Sequence, residues 1–403
     1  MPTLSTGRRR AATLALAAGA ALAAGCDFTV TNPGPILDEQ LDVVTAVPSL
    51  VNGMGGDLSN AIGNYLTRGS LAAFELTHSG NFAAERQFAT GVIRAEDVNG
   101  DWARMQRARW VAENGLVRMK TVLGTAFETN PNTPRAYLYA GFANRFLGEN
   151  VCETVIDGGP KVPHTEHFVR AESLFTRALA LAGTNAALAN AARAGRAQVR
   201  VNLGKWDEAV ADAALVPASF RHNAVFSVNT TRENMDLAVQ TINRREVTVF
   251  GTAWVSSPDP RARYDTVRTS SGGFQTGQDG RTRFFRQAKY LTIGDPVPLA
   301  KGTEMLLIRA EAALRANDVP AAVGFINQGR TAASLPALTI TTAADAWTAL
   351  IRERGAVLWL EGRRLYDLRR WLAEGRNTQL QGRSSCMPIS LEEIGANPNL
   401  RTN

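Results

Sequence analysis

Hydrophobic residues recur every three or four positions along most of the chain, which is the spacing of one helical face. Segment 97–120 contains one long predicted helix, with Trp102 and Trp110 expected in the core. Gly148 is the expected C-terminal cap of a later helix. The predicted helices lie within 50–119 (two or three), 97–120, 135–147, 167–181, 186–215 and 304–330. The sequence therefore predicts a mainly α-helical protein.

Two of these ranges are predicted helical hairpins. The first, 186–215, is hinged at Gly204, and the second, 304–330, turns at Asn317 and Asp318. Small residues at corresponding sites of the two hairpins permit the close helix contacts of tetratricopeptide-like pairs. These residues are Ala197, Ala209, Ala310 and Ala322. Because the hairpins are far apart in sequence, we do not expect a continuous solenoid.

The segment 220–298 breaks the helical pattern. It is rich in Thr, Ser, Gly, Asn and Arg, and only short runs at 247–250 and 283–285 are typical of β-strands. We expect irregular loops with a few short strands. A long insertion of this kind in a compact protein is usually functional. The chain as a whole is predicted to form one helical domain at 49–403 with this loop-rich insertion.

A further helix is predicted near the C-terminus. Thr342 followed by Asp345 is a capping-box pattern, which marks a helix start. Apolar residues then continue at helical spacing as far as Leu372. The spacing therefore predicts one long helix with a single apolar stripe.

Arg354 and Glu361 interrupt that stripe two turns apart. Burying an unpaired charge is costly, so we expect these two groups to be buried partners. The alternative is a solvated charged face, as charge runs usually are. Further members of the expected network are Arg364 and Asp367.

This C-terminal block resembles the late signature of the SusD/RagB family of outer-membrane nutrient-binding lipoproteins. The family pattern R-E-R-x-x-x-L-x-x-E-G-x-R-x-x-D-L is matched by Arg352, Glu353, Arg354, Leu358, Glu361, Gly362, Arg364, Asp367 and Leu368. The resemblance extends to a turn and helix entry at 27–53 and to a closing motif at 386–400. It implies a SusD-like α-helical fold that sits on a TonB-dependent barrel of the SusC type and captures a glycan or another nutrient oligomer.

Residues 1–25 have the pattern of a secretory signal, with basic residues at Arg8–Arg10 and an apolar run from Ala11 to Ala24. Small residues precede Cys26 in a sequence similar to a bacterial lipobox. We therefore expect Cys26 to carry the lipid that holds the protein on the outer membrane. The alternative is a plain signal followed by an incidental cysteine. Residues 26–48 are expected to form an extended tether and a helix entry.

Composition and motifs exclude several classes of function. The 403 residues carry a formal net charge of +7, three charges of which belong to the signal segment, so nucleic acid is not an expected partner. No nucleotide, cofactor or hydrolase motif occurs. His164 and His167 are too few for a metal site, which needs three or four ligands. We expect no enzymatic activity, no cofactor and no metal.

Sugar recognition requires aromatic faces for ring stacking and planar polar side chains for hydroxyl groups. Binding groups lie preferentially on loops. We therefore expect these aromatic and polar side chains in the predicted loop segments, among them 80–101. For each residue the alternative is local packing within its loop. The candidates are Asn64, Tyr65, Asn81, Phe82, Trp254, Tyr264, Phe274, Arg281 and Phe284.

The leading hypothesis, which rests on the resemblance, is a cell-surface lipoprotein that binds a glycan and acts with a SusC-type TonB-dependent transporter in uptake. The ligand stays open, because members of the family also bind peptides and other cargo. A hypothesis from another class is a tetratricopeptide-type scaffold lipoprotein that assembles envelope proteins. A surface hydrolase is a third hypothesis, and no motif supports it.

Cys152 and Cys386 are the two cysteines that remain once Cys26 is lipidated. An exported chain enters an oxidising compartment, so we expect these two residues to form a disulfide. The alternative is two separate free thiols. A disulfide would join the C-terminal tail to the first helical pair.

Overall fold

A computed structural model describes residues 38–401. Residues 42–403 belong to one compact unit, which begins a few residues before the domain start expected at 49. Of the other unit, residues 1–41, the structure describes the 3₁₀ turn Asp38–Leu41. The expected signal segment and Cys26 lie outside the described residues. No helix in the described range is long and apolar enough to cross a membrane.

The fold is mainly α-helical, as the sequence predicts. Most boundaries fall close to the expected ones because the apolar spacing and the caps are local signals. The helices are α1 Val47–Ala72, α2 Ala83–Thr90, α3 Asn99–Leu123, α4 Thr133–Asn150, α5 Thr165–Leu181, α6 Ala186–Asn202, α7 Trp206–Ala214, α8 Asp236–Ala238, α9 Ala253–Ser256, α10 Gly302–Arg315, α11 Val319–Ala332, α12 Ala343–Val357, α13 Arg364–Ala373 and α14 Leu391–Ala396.

The long helices pack in series as tetratricopeptide-like pairs. α4 contacts α5, α5 contacts α6, and α6 contacts α7. α10 then packs on α7 and on its own partner α11, so the two predicted hairpins are neighbours in space. The small residues expected at these contacts are fully buried, namely Ala197, Ala209, Ala310 and Ala322. The two hairpins therefore pack together, although the insertion separates them in sequence.

The strands are short and occur in antiparallel pairs. β1 pairs with β5, β2 with β3, β4 with β8, and β6 with β7. The β4–β8 pair joins the two ends of the insertion at its base, and the β1–β5 pair attaches its middle to the chain that follows α1. The strands are β1 Thr77–His78, β2 Glu153–Thr154, β3 Val162–Pro163, β4 Arg221–Ala224, β5 Val247–Thr248, β6 Tyr264–Thr266, β7 Phe285–Gln287 and β8 Val297–Lys301.

Three local expectations are wrong. Gly148 lies inside α4 and does not cap it; a Cβ there would come within 2.5 Å of the Phe168 ring, so the residue serves close helix packing. Trp102 is buried, but Trp110 on the same helix is 51% exposed. The segment expected as a loop at 80–101 contains α2 and the start of α3. Close helix packing and the positions of partner helices determine these three features, and the local sequence shows neither of them.

Candidate functional site

The C-terminal signature block forms two helices instead of the single predicted one. α12 begins at the expected cap, where Thr342 Oγ1 accepts a hydrogen bond from the Asp345 N–H at 3.1 Å. Before α13 the chain turns through positive φ at Leu360 (57°) and Gly362 (70°). A Cβ at Gly362 would lie 3.2 Å from Leu66 of α1, so the turn packs closely on that helix. The turn separates the two charged residues of the stripe.

Arg354 and Glu361 are both buried, but the predicted pair between them is wrong. Arg354 Nε donates to Asp367 Oδ2 at 2.8 Å, across the turn from α12 to α13. Glu361 Oε1 instead accepts hydrogen bonds from Lys289 Nζ and Lys301 Nζ, each at 2.6 Å. The prediction failed because the turn removes Glu361 from the face of α12 that carries Arg354. Each charge is nevertheless compensated inside the protein.

Other ion pairs tie the block to distant parts of the chain. Glu353 binds Arg261 of the insertion at 2.6 Å. Arg363 binds Glu149 of α4 at 3.0 Å and Glu304 of α10 at 3.1 Å. Desolvation offsets much of the attraction in buried pairs, so their clearest effect is to hold the block in one position.

A cleft of about 580 Å³ lies beside this block. Its walls come from the end of α1, the insertion around α9, helix α12 and the segment after α13. The volume falls within the roughly 300–1,000 Å³ of typical small-ligand sites. Its aromatic, polar and cationic lining residues include Phe74, Trp254, Thr348, Arg352, Arg364, Asn377 and Gln379. We call it the Phe74–Trp254 cleft.

Phe74 reaches the cleft through an unusual backbone conformation. It follows the C-cap of α1 with φ of +61°, where glycine is normally found at a helix end. The Glu75 N–H donates to Ser70 O at 2.9 Å and closes this turn. A left-handed conformation costs a non-glycine residue about 1–2 kcal/mol. Strain of this kind is concentrated at functional sites, which makes Phe74 a candidate ligand contact.

Trp254 forms another part of the same cleft. It lies on the one-turn helix α9 and is 5% exposed. Its ring packs edge-on against Trp359 with centroids 6.5 Å apart, and the guanidinium carbon of Arg352 lies 5.9 Å from its ring. Trp254 is therefore mostly a packing residue whose remaining surface borders the cleft.

Two arginines of the signature block line the cleft. Arg352 donates to Ser257 O at 2.9 Å, and Arg364 Nη2 makes only a long contact to Gln379 Oε1 at 3.4 Å. Arg364 Nη1 is buried without a hydrogen-bond partner. A Cβ at Gly355 would lie 2.1 Å from this nitrogen, so only glycine leaves room for the guanidinium against α12. Burial lowers the pKa of Arg364 from its ordinary value.

A second, smaller cleft of about 350 Å³ brings together Asn64 and Phe82 from the predicted set. Its charges compensate one another, since Arg68 binds Asp101 at 2.7 Å and Glu85 at 3.2 Å. Burial raises the pKa of Asp101 above its usual range. This cleft is polar, and three of its charged residues, Arg68, Glu85 and Asp101, pair with one another.

The other aromatic candidates do not form one surface. Tyr65 and Phe284 are buried in the core, at 0% and 2% exposure. Tyr264 is half-buried and stacks on Phe285 with centroids 5.7 Å apart. The ring of Phe274 contacts the Arg268 and Arg283 guanidinium groups, as cation–π contacts at 4.4 Å and 4.7 Å.

The polar candidates Asn81 and Arg281 are exposed and line neither cleft. Arg281 is 3.7 Å from Asp279, its neighbour within the same loop. Of the predicted ligand residues, only Trp254 borders the larger cleft. The candidates predicted from the sequence did not include Phe74, Asn377 or Gln379. For Phe74, an aromatic residue at a helix end where glycine is typical was a signal that could have identified it.

Two further predictions concern cysteine and histidine. The structure joins Cys152 to Cys386 by a disulfide with a Cα–Cα distance of 5.1 Å, which lies within the usual range. His167 is buried, and its ring nitrogens contact Asn144 Oδ1 at 2.8 Å and Thr154 Oγ1 at 3.0 Å. Both nitrogens are therefore engaged in the core. Across residues 38–401 no cluster of three potential metal ligands occurs.

The family model for the SusD family matches residues 288–385, which include the signature block. No curated protein sequence matches the chain. Among solved structures, a SusD superfamily protein from Bacteroides thetaiotaomicron has a TM-score of 0.68 at 14% identity, covering 90% of this chain and 99% of its own.

Two further solved structures share the fold. A SusD-like carbohydrate-binding protein from Bacteroides vulgatus has a TM-score of 0.62 at 15% identity, covering 81% of this chain and 83% of its own. A SusD superfamily protein from Parabacteroides distasonis has a TM-score of 0.63 at 12% identity, covering 89% and 98%. These likenesses show the same helical fold over most of the chain. With the family-model match over residues 288–385, they make the chain similar to the SusD family in its C-terminal sequence and in its fold.

Proposed function

We propose that this protein binds a glycan in the Phe74–Trp254 cleft and passes it to a SusC-type TonB-dependent transporter. The match of residues 288–385 to the SusD family model supports the class of function, and one structurally similar protein is described as carbohydrate-binding. The observation that carries the proposal is the lining of the cleft. It combines aromatic rings with the amide side chains of Asn377 and Gln379 and the hydroxyl of Thr348.

This lining suits a sugar for physical reasons. Aromatic faces pack against the C–H face of a sugar ring, and planar amides exchange hydrogen bonds with its hydroxyl groups. Asn377 and Gln379 lie on the segment after α13, one half-buried and the other exposed, so both are accessible to a ligand. The lining residues include no carboxylate, whereas glycoside hydrolysis normally uses a pair of them. The cleft is therefore better suited to binding than to hydrolysis.

The proposed location is the outer membrane, with attachment through a lipid on Cys26. Several acyl chains give stable anchoring, while one gives only marginal binding. Mass spectrometry of the native N-terminus should find a chain that starts at an acylated Cys26. An unmodified cysteine, or cleavage at another position, would rule out the lipoprotein assignment.

Phe74→Gly is the sharpest test of the cleft. Glycine accepts the +61° backbone without strain, which offsets part of the packing lost with the ring. A glycan is first identified by screening. Because the stacking ring is lost, the variant should bind this glycan about tenfold more weakly, while its helical circular dichroism stays unchanged. Gln379→Ala should also weaken binding.

Trp110→Ala is the matched control, because it removes a large exposed aromatic that does not line the cleft. It should bind the glycan as the unchanged protein does. If Trp110→Ala abolishes binding and Phe74→Gly does not, the ligand site has been placed wrongly.

The scaffold hypothesis also has a supporting observation, since the helical pairs form one stack in which α10 packs on α7. Such stacks offer extended surfaces for protein partners. A scaffold would bind no glycan in the screen and would co-purify with envelope proteins. Co-purification with a TonB-dependent barrel, together with glycan binding, would decide for uptake.

A further inference from the structure

The Phe74–Trp254 cleft is lined by positive charge and by no carboxylate. Two arginines, Arg352 and Arg364, line it, and no Asp or Glu does. Within residues 38–401 neither arginine forms an ion pair, although Arg354, Arg363 and Arg370 of the same block all do. Two side chains, those of Arg352 and Arg364, therefore give the cleft its positive charge.

The smaller cleft provides a comparison within the same molecule. Its lining includes Arg68 and Arg104 but also three carboxylates, those of Glu85, Asp101 and Asp236. A neutral ligand would meet a balanced surface there. The larger cleft lacks any such balance.

Arg364 makes this imbalance of charge costly. Its Nη1 is buried without a hydrogen-bond partner, and its Nη2 has only the 3.4 Å contact to Gln379. A desolvated cation is strongly unfavourable unless an anion compensates it. Glu75 and then Asp367 are the acidic groups that act on Arg364 most, but neither forms an ion pair with it, and burial raises the pKa of Glu75 to about 7, so the charge of Glu75 is only partly present at neutral pH.

We propose that the ligand of this cleft is an acidic oligosaccharide, bound through an anionic group that pairs with Arg352 and Arg364. This inference rests on the proposed glycan-binding function and specifies its ligand class. The carboxylate of a uronic acid and a sulfate ester each carry two anionic oxygen atoms that a guanidinium fork can bind together. The amides and aromatic rings of the cleft would hold the neutral part of the sugar.

Calorimetric titration with defined oligosaccharides tests the proposal. The probes are oligogalacturonate and hyaluronan oligosaccharides, each compared with its carboxyl-reduced form, which keeps the linkage and removes the charge. A sulfated galactan oligosaccharide and its desulfated form distinguish the second source of anionic charge. At least one acidic probe should bind, and its neutral counterpart should bind about tenfold more weakly or worse.

Variants then assign the effect to the cleft. Arg352→Gln lies at an accessible position and should weaken binding of the acidic probe about tenfold. Arg364→Lys keeps the charge but loses the fork, so it should weaken binding without changing the net charge. Arg177→Gln on α5 removes the same charge at an ion pair with Glu128 outside the cleft and should bind normally.

The outcomes separate the two proposals. The acidic ligand class would be overturned if neutral probes bound as tightly as the acidic ones and Arg352→Gln had no effect on binding. If Phe74→Gly still weakened binding in that case, the glycan-binding function would stand. An equal loss in Arg177→Gln would show a non-specific charge effect and would also overturn the acidic ligand class. Binding of no probe, acidic or neutral, would overturn both.

Discussion

Replacing Glu361 should destabilise the fold strongly, because this buried carboxylate compensates two ammonium groups, that of buried Lys301 and that of half-buried Lys289. Its Oε1 lies 2.6 Å from both Lys289 Nζ and Lys301 Nζ, and the Glu361 side chain is 2% exposed. Burial alone would raise the pKa of Glu361, but the two lysines hold it below its usual value. Glu361→Ala would leave the ammonium groups of Lys289 and Lys301 without their common anion.

The expected cost follows from the burial of the pair. Removing one partner of a buried ion pair typically costs about 3–5 kcal/mol. For a unit of about 360 residues this corresponds to a fall in melting temperature of roughly 4–7 °C. Glu374→Ala is the control, because Glu374 binds Arg315 at 2.7 Å in an exposed pair, which is worth about 0–1 kcal/mol.

Lys289 adds a distinctive pH dependence. Burial lowers its pKa to about 8 despite Glu361, so loss of the carboxylate should lower it further. The destabilisation caused by Glu361→Gln should then shrink as the pH rises to about 8, the pKa of Lys289 in the unchanged protein, since a neutral amine needs no anion. Urea unfolding at pH 7 and pH 9 measures both effects. Equal stabilities of Glu361→Ala and Glu374→Ala at pH 7 would refute the reasoning.

Three other predictions concern different parts of the fold. Arginines hold the pKa of buried Glu311 at about 2, against an ordinary value of 4.5. The free energy of unfolding should therefore fall as the pH drops from about 4.5 to 2, and this fall should be smaller in Glu311→Gln. Equal falls in the two proteins during acid unfolding would contradict the prediction. Thiol titration of denatured, unreduced protein should detect neither Cys152 nor Cys386, and reactivity of both before reduction would exclude the disulfide. Gly355→Ala should displace Arg364 and weaken ligand binding with little change in helix content, and unchanged affinity would show that Arg364 does not contact the ligand.

Local signals explain why most helices could be predicted. The cap at Thr342 and the hinge at Gly204, which has φ of +74°, follow from the properties of those residues alone. The break between α12 and α13 could not be predicted, because Leu360 rarely adopts positive φ. It is held there by a distant partner, since its N–H donates to Glu75 Oε1 at 3.0 Å.

The candidate site was harder to predict than the fold because its residues come from distant segments. Phe74 and Trp254 meet because β1 pairs with β5, with Thr77 opposite Thr248. Sequence patterns indicated neither this pairing nor the turn that separates Glu361 from Arg354. Aromatic residues in the insertion were chosen as ligand contacts, but Phe284 and Phe274 mainly pack within it.

A crystal structure of the protein with a glycan selected by the titrations tests the central claim most directly. We expect sugar density in the Phe74–Trp254 cleft, with a ring against Phe74, hydroxyl groups near Asn377 and Gln379, and an acidic group beside Arg364. Density for the bound glycan at any other surface, with this cleft free of sugar, would contradict the account.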